Sequence, residues 1–181
     1  MIVLDTNVIS EALKPVPASM VLRWLADQAP AAVFTTSITV AEILYRIEML
    51  PVGKRRLRLL SVVEKMFAEE FDERILPFDE EAARVFARIA ASRAETGRPI
   101  SQSDAKIAAI ARSHRAAVAT RNTIDFERCG IRLIDPWAQL FMSSCVHLAV
   151  SRPIHRSGLP GVPSGWSAIW TRSVPRPITS R

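Results

Sequence analysis

The chain has 181 residues, 49% of them hydrophobic, which is the size and composition of a single domain with its own core. No apolar run approaches the ~20 residues that a membrane-crossing helix needs, and no signal peptide is recognisable, so we expect a cytoplasmic protein with no membrane association. Two isolated cysteines, Cys129 and Cys145, form neither a disulfide framework nor a zinc-ligand pattern.

The formal net charge of +6 is unevenly distributed. Arginine is the only charged residue type after Met142, so residues 1–141 are nearly neutral. Residues 142–181 are rich in Pro, Ser and Gly and have no helical or strand period. We therefore expect a folded domain over 1–141 and an ill-ordered basic tail over 142–181, which either binds phosphates or has no selected role.

The first half of the chain predicts two buried strands that each lead into a helix. Residues 2–4 form the first strand, and Thr6 and Asn7 supply the capping side chains of a helix that ends before Pro15. The remaining predicted elements are a helix capped by Ser19, a strand over 32–36, a helix capped by Ser37 or Thr39, and a helix over 53–71.

The second half continues the same alternation. Asp79 caps a predicted helix over 80–96, and the polar residues 101–104 open another. The predicted strands are 75–78, 116–120 and 131–134. Strands that alternate with helices imply an α/β fold in which helices cover both faces of a mostly parallel sheet of about five strands.

The helix over 53–71 begins with positive charges: Lys54, Arg55, Arg56 and Arg58. A helix N-terminus disfavours positive charge, so this placement costs a few tenths of a kcal/mol per residue, on the order of the usual dipole effect. We interpret the basic run as a contact for RNA phosphate or for an acidic stretch of a partner. An ordinary solvated helix face is the alternative.

Four acidic residues are predicted to meet where the parallel strands end, the edge at which such sheets bind ligands. They are Asp5, Glu42, Asp104 and Asp125. Each has a simpler explanation, because Asp5 and Asp104 can cap helices, Glu42 can be an exposed first-turn acid and Asp125 can form a turn. The apolar sequence around Asp5 and Asp104 favours a partner for their charge.

Carboxylates ~5 Å apart repel by about 3 kcal/mol per pair at an effective dielectric constant of ~20, so gathering several of them requires a cation. Ligands that are all oxygen select Mg²⁺ or Mn²⁺, and such an ion supports phosphodiester hydrolysis. Haloacid-dehalogenase chemistry fits less well because Asn7 stands where a second Asp is needed. A Gly-rich phosphate loop, HExxH and CxxC are all missing from the sequence.

Four sequence blocks in order resemble those of PIN-domain proteins, and of VapC- and FitB-type toxins in particular. They are Asp5-Thr6-Asn7-Val8-Ile9-Ser10, Thr36-Ser37-Ile38-Thr39-Val40-Ala41-Glu42, Ile100-Ser101-Gln102-Ser103-Asp104, and Ala119-Thr120-Arg121-Asn122 with Asp125-Phe126. The resemblance covers residues 1–137 and implies a PIN-like three-layer sandwich. It also implies a Mg²⁺-dependent endoribonuclease, usually a homodimer, that is inhibited by a small antitoxin protein.

The resemblance also suggests roles for individual residues. Asp5, Glu42 and Asp104 match the family's three principal acids and would be the metal ligands. FitB-like members have Asp at the position of Asn122, so either Asn122 or Asp125 would complete the site. The alternative function is a binding module that keeps the PIN fold, lacks nuclease activity and acts through its antitoxin on operator DNA.

Overall fold

A computed structural model describes residues 1–138 of the chain. The predicted tail over 142–181 and Cys145 lie outside the described residues. The strands are β1 (Ile2–Leu4), β2 (Val33–Thr36), β3 (Ile75–Leu76), β4 (Ala117–Ala119) and β5 (Leu133–Ile134). The helices are α1 (Thr6–Ala12), α2 (Ser19–Ala26), α3 (Ser37–Glu48), α4 (Lys54–Glu70), α5 (Glu80–Glu95), α6 (Gln102–Ser113) and α7 (Thr123–Phe126).

The five strands form one sheet in the order β3-β2-β1-β4-β5. Every neighbouring pair is parallel, and Ile2 of β1 lies opposite Val33 on one side and Ala117 on the other. The predicted α/β fold with a five-stranded parallel sheet is therefore confirmed. Because all strands point the same way, their carboxyl ends form one edge of the sheet and their amino ends form the other.

Helices cover both faces of this sheet. Successive strand residues point to opposite faces, so Ile2 and Leu4 belong to one core and Val3 to the other. The first core also contains Val8, Trp24, Ile43, Ile47, Val63, Met66 and Phe67 from α1 to α4. The second contains Val85, Ile89, Ile107, Ile110 and Phe126 from α5 to α7. This is the predicted three-layer sandwich.

Two predicted helix caps are wrong. Ser19 is the first residue of α2, and the cap position is Ala18, which has no side chain to accept a hydrogen bond. Helix α3 is capped by Thr36 instead of Ser37 or Thr39, since the Thr36 hydroxyl accepts from the Thr39 amide at 3.0 Å. In both cases the observed cap lies one residue or more before the predicted cap, because residue type alone locates a helix boundary only to within one or two residues.

Strands β2 to β5 are shorter than predicted, and one helix was not predicted. Strand β3 ends at Leu76, where Pro77 supplies no amide for a ladder hydrogen bond. Residues 123–126 form the short helix α7, where the sequence suggested only a turn. Four residues are too few to give a visible helical period. No helix within residues 1–138 has the length and apolar character needed to cross a bilayer.

Candidate active site

Asp5 lies at the junction between β1 and α1. It is the N-cap of α1 and is only 4% exposed. Its Oδ1 accepts a hydrogen bond from the Thr6 amide at 2.6 Å. Its Oδ2 accepts from the Asn7 side-chain amide at 2.6 Å and from the Thr120 hydroxyl at 2.8 Å. All three donors are neutral groups, so they orient the carboxylate without balancing its charge.

Asn7 ties the end of β1 to the end of β4. Its side-chain nitrogen also lies 2.9 Å from the Thr120 hydroxyl, and its side-chain oxygen accepts from the Arg121 amide at 3.0 Å. The Asn122 amide donates to the same Thr120 hydroxyl at 3.0 Å. The sequence analysis did not assign a site role to Asn7 or Thr120. The available signal was that Thr120 is a polar residue directly after a buried strand that ends at the same edge as β1.

Glu42 comes from α3, which follows the neighbouring strand β2. Its carboxylate accepts a hydrogen bond from the Thr6 hydroxyl, so it lies beside the residue that follows Asp5. Glu42 is half-buried. Thr6 therefore links the two acids, because its backbone amide donates to Asp5 and its hydroxyl donates to Glu42.

Asp104 lies in the first turn of α6. Ser101 is the N-cap of this helix, and its hydroxyl accepts from the Asp104 amide at 3.0 Å and donates to the Asp104 carboxylate at 2.7 Å. This reciprocal pairing is a capping arrangement that fixes the first turn. The cap uses Oδ2 of Asp104, and no hydrogen bond within residues 1–138 is found for the other carboxylate oxygen.

Asp125 and Asn122 lie together after β4. Asn122 precedes the first residue of α7, and its side-chain amide donates to the Asp125 carboxylate. Sequence analysis left open which of the two completes the site. The structure places the two side chains in direct contact, and which of them completes the site stays a prediction.

The four acids are electrostatically coupled. The pKa of Asp5 is raised from 3.8 to about 6, first by burial, which outweighs the hydrogen bonds from Thr120 and Thr6, and then by the charges of Asp104 and Glu42. Burial also raises the pKa of Asp104, against the hydrogen bond from Ser101, and the charges of Asp125 and Glu42 act in the same direction. We call Asp5, Glu42, Asp104 and Asp125 the acidic edge.

The acidic edge has the donor chemistry of a divalent-cation site. Among the ion pairs within residues 1–138, none includes a member of the acidic edge. Within the same residues, no group of three or more acidic, histidine or cysteine side chains is assembled closely enough to hold an ion in the conformation described. Each of the four carboxylates accepts a hydrogen bond from a neutral donor. The residues fit a metal in type and charge.

The basic run at the start of α4 lies outside the acidic edge. Arg56 forms an ion pair with Glu48 of α3, whereas Lys54, Arg55 and Arg58 are exposed. Exposed apolar side chains surround the α3–α4 turn: Tyr45, Met49, Val52 and Leu57. We call these four residues the α3–α4 surface. The predicted role of the basic run in RNA or partner contact stays a prediction, and Arg56 is partly accounted for by its intramolecular pair.

Known proteins resemble this chain over the region just described. The family model of the PIN domain matches residues 2–131. "VapC ribonuclease Y4jK" of Sinorhizobium fredii is 41% identical over 137 residues, which are 76% of this chain and 98% of that protein. "Toxin FitB" of Neisseria gonorrhoeae is 39% identical over 137 residues, 76% of this chain and 99% of that protein.

Solved structures agree with these matches. The structure of "FitAB bound to IR36 DNA fragment" is 37% identical, covers 84% of this chain and 100% of its own, and has a TM-score of 0.72. VapBC-5 from Mycobacterium tuberculosis, "a member of the VapBC family of toxin-antitoxin systems", is 26% identical, covers 73% of this chain and 95% of its own, and has a TM-score of 0.52.

The fold and site define an α/β domain with an acidic centre at the carboxyl edge of a parallel sheet. Together with the match over residues 2–131, they establish that the chain belongs to the PIN domain family. The family resemblance inferred from the four sequence blocks is therefore confirmed.

Proposed function

We propose that this protein is a metal-dependent endoribonuclease and the toxin of a toxin–antitoxin pair. The observation that carries the proposal is the acidic edge: four coupled carboxylates with no cationic partner in residues 1–138, in a PIN domain. The relatives named as a VapC ribonuclease and a FitB toxin support RNA as the substrate class and toxin as the role.

Asp5, Asp104 and Glu42 would hold the ion, and Mg²⁺ is the proposed metal, with Mn²⁺ as the alternative. Hard carboxylate oxygens without nitrogen or sulfur ligands suit both ions. When bound, such an ion lowers the pKa of a water molecule and neutralises charge on the phosphodiester that is being cut.

The neutral residues of the site would set its geometry. Thr6, Asn7 and Thr120 fix both oxygens of Asp5, so this carboxylate is oriented before any ligand arrives. Asp125 is proposed as the fourth acid, with Asn122 holding it through its side-chain amide. Removing a hydrogen-bond partner of a metal ligand typically lowers metal affinity or activity by about 10- to 100-fold.

The cognate antitoxin is the proposed protein partner, and a homodimer is the proposed assembly. Solved relatives described as toxin–antitoxin systems support the antitoxin. The α3–α4 surface supports a protein contact, because it exposes four large apolar side chains on neighbouring elements. The adjacent Lys54, Arg55 and Arg58 suit an acidic segment of the partner or RNA phosphates.

The catalytic domain is proposed to end near residue 141, with the basic region 142–181 outside it. Support comes from relatives that are almost completely covered by 137 aligned residues. The cytoplasm is the proposed location, which agrees with an RNA substrate.

Cleavage of RNA by the purified full-length chain tests the proposed enzyme. We expect cleavage that EDTA abolishes and that Mg²⁺ restores. Cleavage that persists in EDTA would contradict the metal dependence, and a protein that leaves RNA intact with either Mg²⁺ or Mn²⁺ would contradict the enzyme. The second candidate function, operator DNA binding through the antitoxin without nuclease activity, is favoured by the DNA-bound FitAB relative and predicts this last result.

A further inference from the structure

A groove of about 360 Å³ lies at the edge of the sheet opposite the acidic edge. Its position follows from the topology, because Met1 precedes β1, Ala116 precedes β4 and Arg132 precedes β5. The groove is thus formed where the parallel strands begin and where α6 ends. Three of its lining residues are exposed arginines, Arg112, Arg115 and Arg132, and none is acidic. We call this feature the arginine groove.

The side chains of two of these arginines make no polar contact with the other described residues. Among the interactions within residues 1–138, no ion pair or side-chain hydrogen bond is found for Arg115 or Arg132. Arg115 also has φ of 53°, the left-handed conformation in which glycine is favoured after a helix. An arginine there lacks the stability that glycine would give, so the backbone conformation does not account for the choice of arginine.

The third arginine is held in place by a glycine. Gly130 has φ of 71°, and a Cβ at this position would come within 3.1 Å of the Arg112 guanidinium carbon. The guanidinium therefore packs directly against bare backbone and donates to the Cys129 carbonyl oxygen at 3.3 Å. A simpler role for Arg112 is to compensate the helix dipole at the end of α6, but that role does not account for Arg132, which lies on another segment.

We propose that the arginine groove binds backbone phosphates of a folded RNA substrate, away from the bond that is cut. The inference rests on the proposed ribonuclease function and adds the size and shape of the substrate. Three guanidinium groups from two segments of the chain converge on an open groove without acidic lining, which is the chemistry of phosphate binding.

The distance between the two edges decides which RNA reaches both. Four residue steps from Met1 to Asp5 span about 13 Å at ~3.3 Å per strand residue. A ligand must also pass around a helix layer about 10 Å thick, because helices cover both faces of the sheet. At ~3.4 Å per stacked nucleotide, a strand of two or three nucleotides held at the acidic edge does not extend that far, whereas a folded RNA presents phosphates to both edges.

Binding of two RNA probes tests the groove. Total bacterial transfer RNA is the folded probe. The other probe is an unstructured oligoribonucleotide that is too short to reach both edges. Both are titrated in EDTA against the full-length protein and against the double variant Arg115→Gln/Arg132→Gln. The matched control is Arg84→Gln/Arg88→Gln, which removes the same charge from the exposed side of α5 outside the groove.

We expect the groove variant to bind transfer RNA about tenfold more weakly, with a log–log salt slope smaller by roughly 1 to 2. The control should match the unmodified chain, and the short oligoribonucleotide should bind all three proteins alike. Equal affinities of the groove and control variants for transfer RNA would overturn the proposal. An equal loss for the short probe would overturn it as well.

RNA cleavage by the unmodified protein is measured in parallel, in Mg²⁺ without EDTA. If the unmodified protein cleaves RNA but the groove variant binds transfer RNA normally, the proposed ribonuclease function holds and the proposed role of the groove fails. The absence of any cleavage means that the proposed function itself fails. The two failures are therefore distinguishable.

Discussion

The two edges of one sheet carry opposite charge. At the carboxyl edge, Asp5, Glu42, Asp104 and Asp125 gather without a basic partner in residues 1–138, and burial with mutual repulsion raises the pKa of Asp5 and Asp104. At the amino edge, three arginines line a groove without an acid. The carboxyl edge repels RNA phosphate until a cation is present, whereas the amino edge attracts it. If both proposals hold, chemistry takes place at one edge of the sheet and the substrate is retained at the other.

Removing the central carboxylate is the most severe way to break this contrast. Asp5→Asn should lower Mg²⁺-dependent RNA cleavage at least about a thousandfold, since the variant loses a metal ligand at the centre of the site. The fold should remain intact, because the asparagine keeps the shape of the side chain. Cleavage assays with a thermal melt of the same samples measure both effects, and full activity in the variant would rule out the metal assignment.

The raised pKa of Asp5 predicts a specific pH dependence of stability without metal. Between pH ~4 and ~6 the folded protein holds the Asp5 proton that the unfolded chain releases, so the free energy of unfolding falls as pH rises. A rise of the Asp5 pKa from 3.8 to about 6 lowers the free energy of unfolding at neutral pH by about 3 kcal/mol.

Comparison with Asp5→Asn isolates this effect from other titrating groups. In EDTA, the melting temperature of the variant should increasingly exceed that of the unmodified protein as pH rises from ~4 to ~7. A difference in melting temperature that stays constant over this pH range would mean that the surroundings of Asp5 do not disfavour its charged form.

Asp125 of the acidic edge and its neighbour Asn122 are expected to contribute unequally to metal binding. Asp125→Ala should weaken Mg²⁺ binding or turnover about tenfold, because it removes a carboxylate. Asn122→Ala should have a smaller effect, because it removes only the amide that donates to Asp125. Calorimetric titration of Mg²⁺ with parallel cleavage assays compares them. Negligible effects of both substitutions would reduce the site to three acids.

The basic run on α4 should have a weaker, salt-dependent effect. Neutralising Lys54, Arg55 and Arg58 should reduce the log–log salt slope of RNA binding by about 0.7 per lost phosphate contact with a single strand. Arg56→Gln is the internal comparison, because Arg56 already pairs with Glu48. A slope that does not change in the triple variant would identify these residues as an ordinary solvated face.

The smallest effect is expected from the tail. Its composition offers too little apolar surface to offset about 1–2 kcal/mol of backbone entropy per ordered residue. Truncation after Met142 should therefore leave the melting temperature and antitoxin binding nearly unchanged, while five arginines are lost from any weak RNA contact. A large drop in melting temperature would mean that residues 142–181 pack against the domain.

The strand–helix alternation and the acidic edge were predictable from sequence because each depends on local signals. Asp5 follows a buried strand, and parallel topology brings such strand ends together wherever they fall in the chain. The hydrogen bonds of Asn7 with Thr120 were not predictable, since they join residues 113 positions apart whose relative orientation only the sheet register fixes.

The arginine groove was missed for a related reason. Arg112, Arg115 and Arg132 come from two segments and form no run in the sequence. Their convergence depends on β4 and β5 being neighbours, with Val118 opposite Leu133. Charge runs such as that on α4 are visible in sequence, whereas charge clusters formed by sheet topology are not.

Divalent-cation binding tests the central claim most directly, because it separates metal ligation from helix capping. Asp79 is the matched control: like Asp5 it is a helix N-cap, and its carboxylate accepts from the Ala82 amide at 2.9 Å. In calorimetric titration with Mn²⁺, the unmodified protein and Asp79→Asn should bind the ion alike, and Asp5→Asn and Asp104→Asn should lose most of the affinity. Binding by Asp5→Asn that equals the unmodified protein would contradict a metal site at the acidic edge.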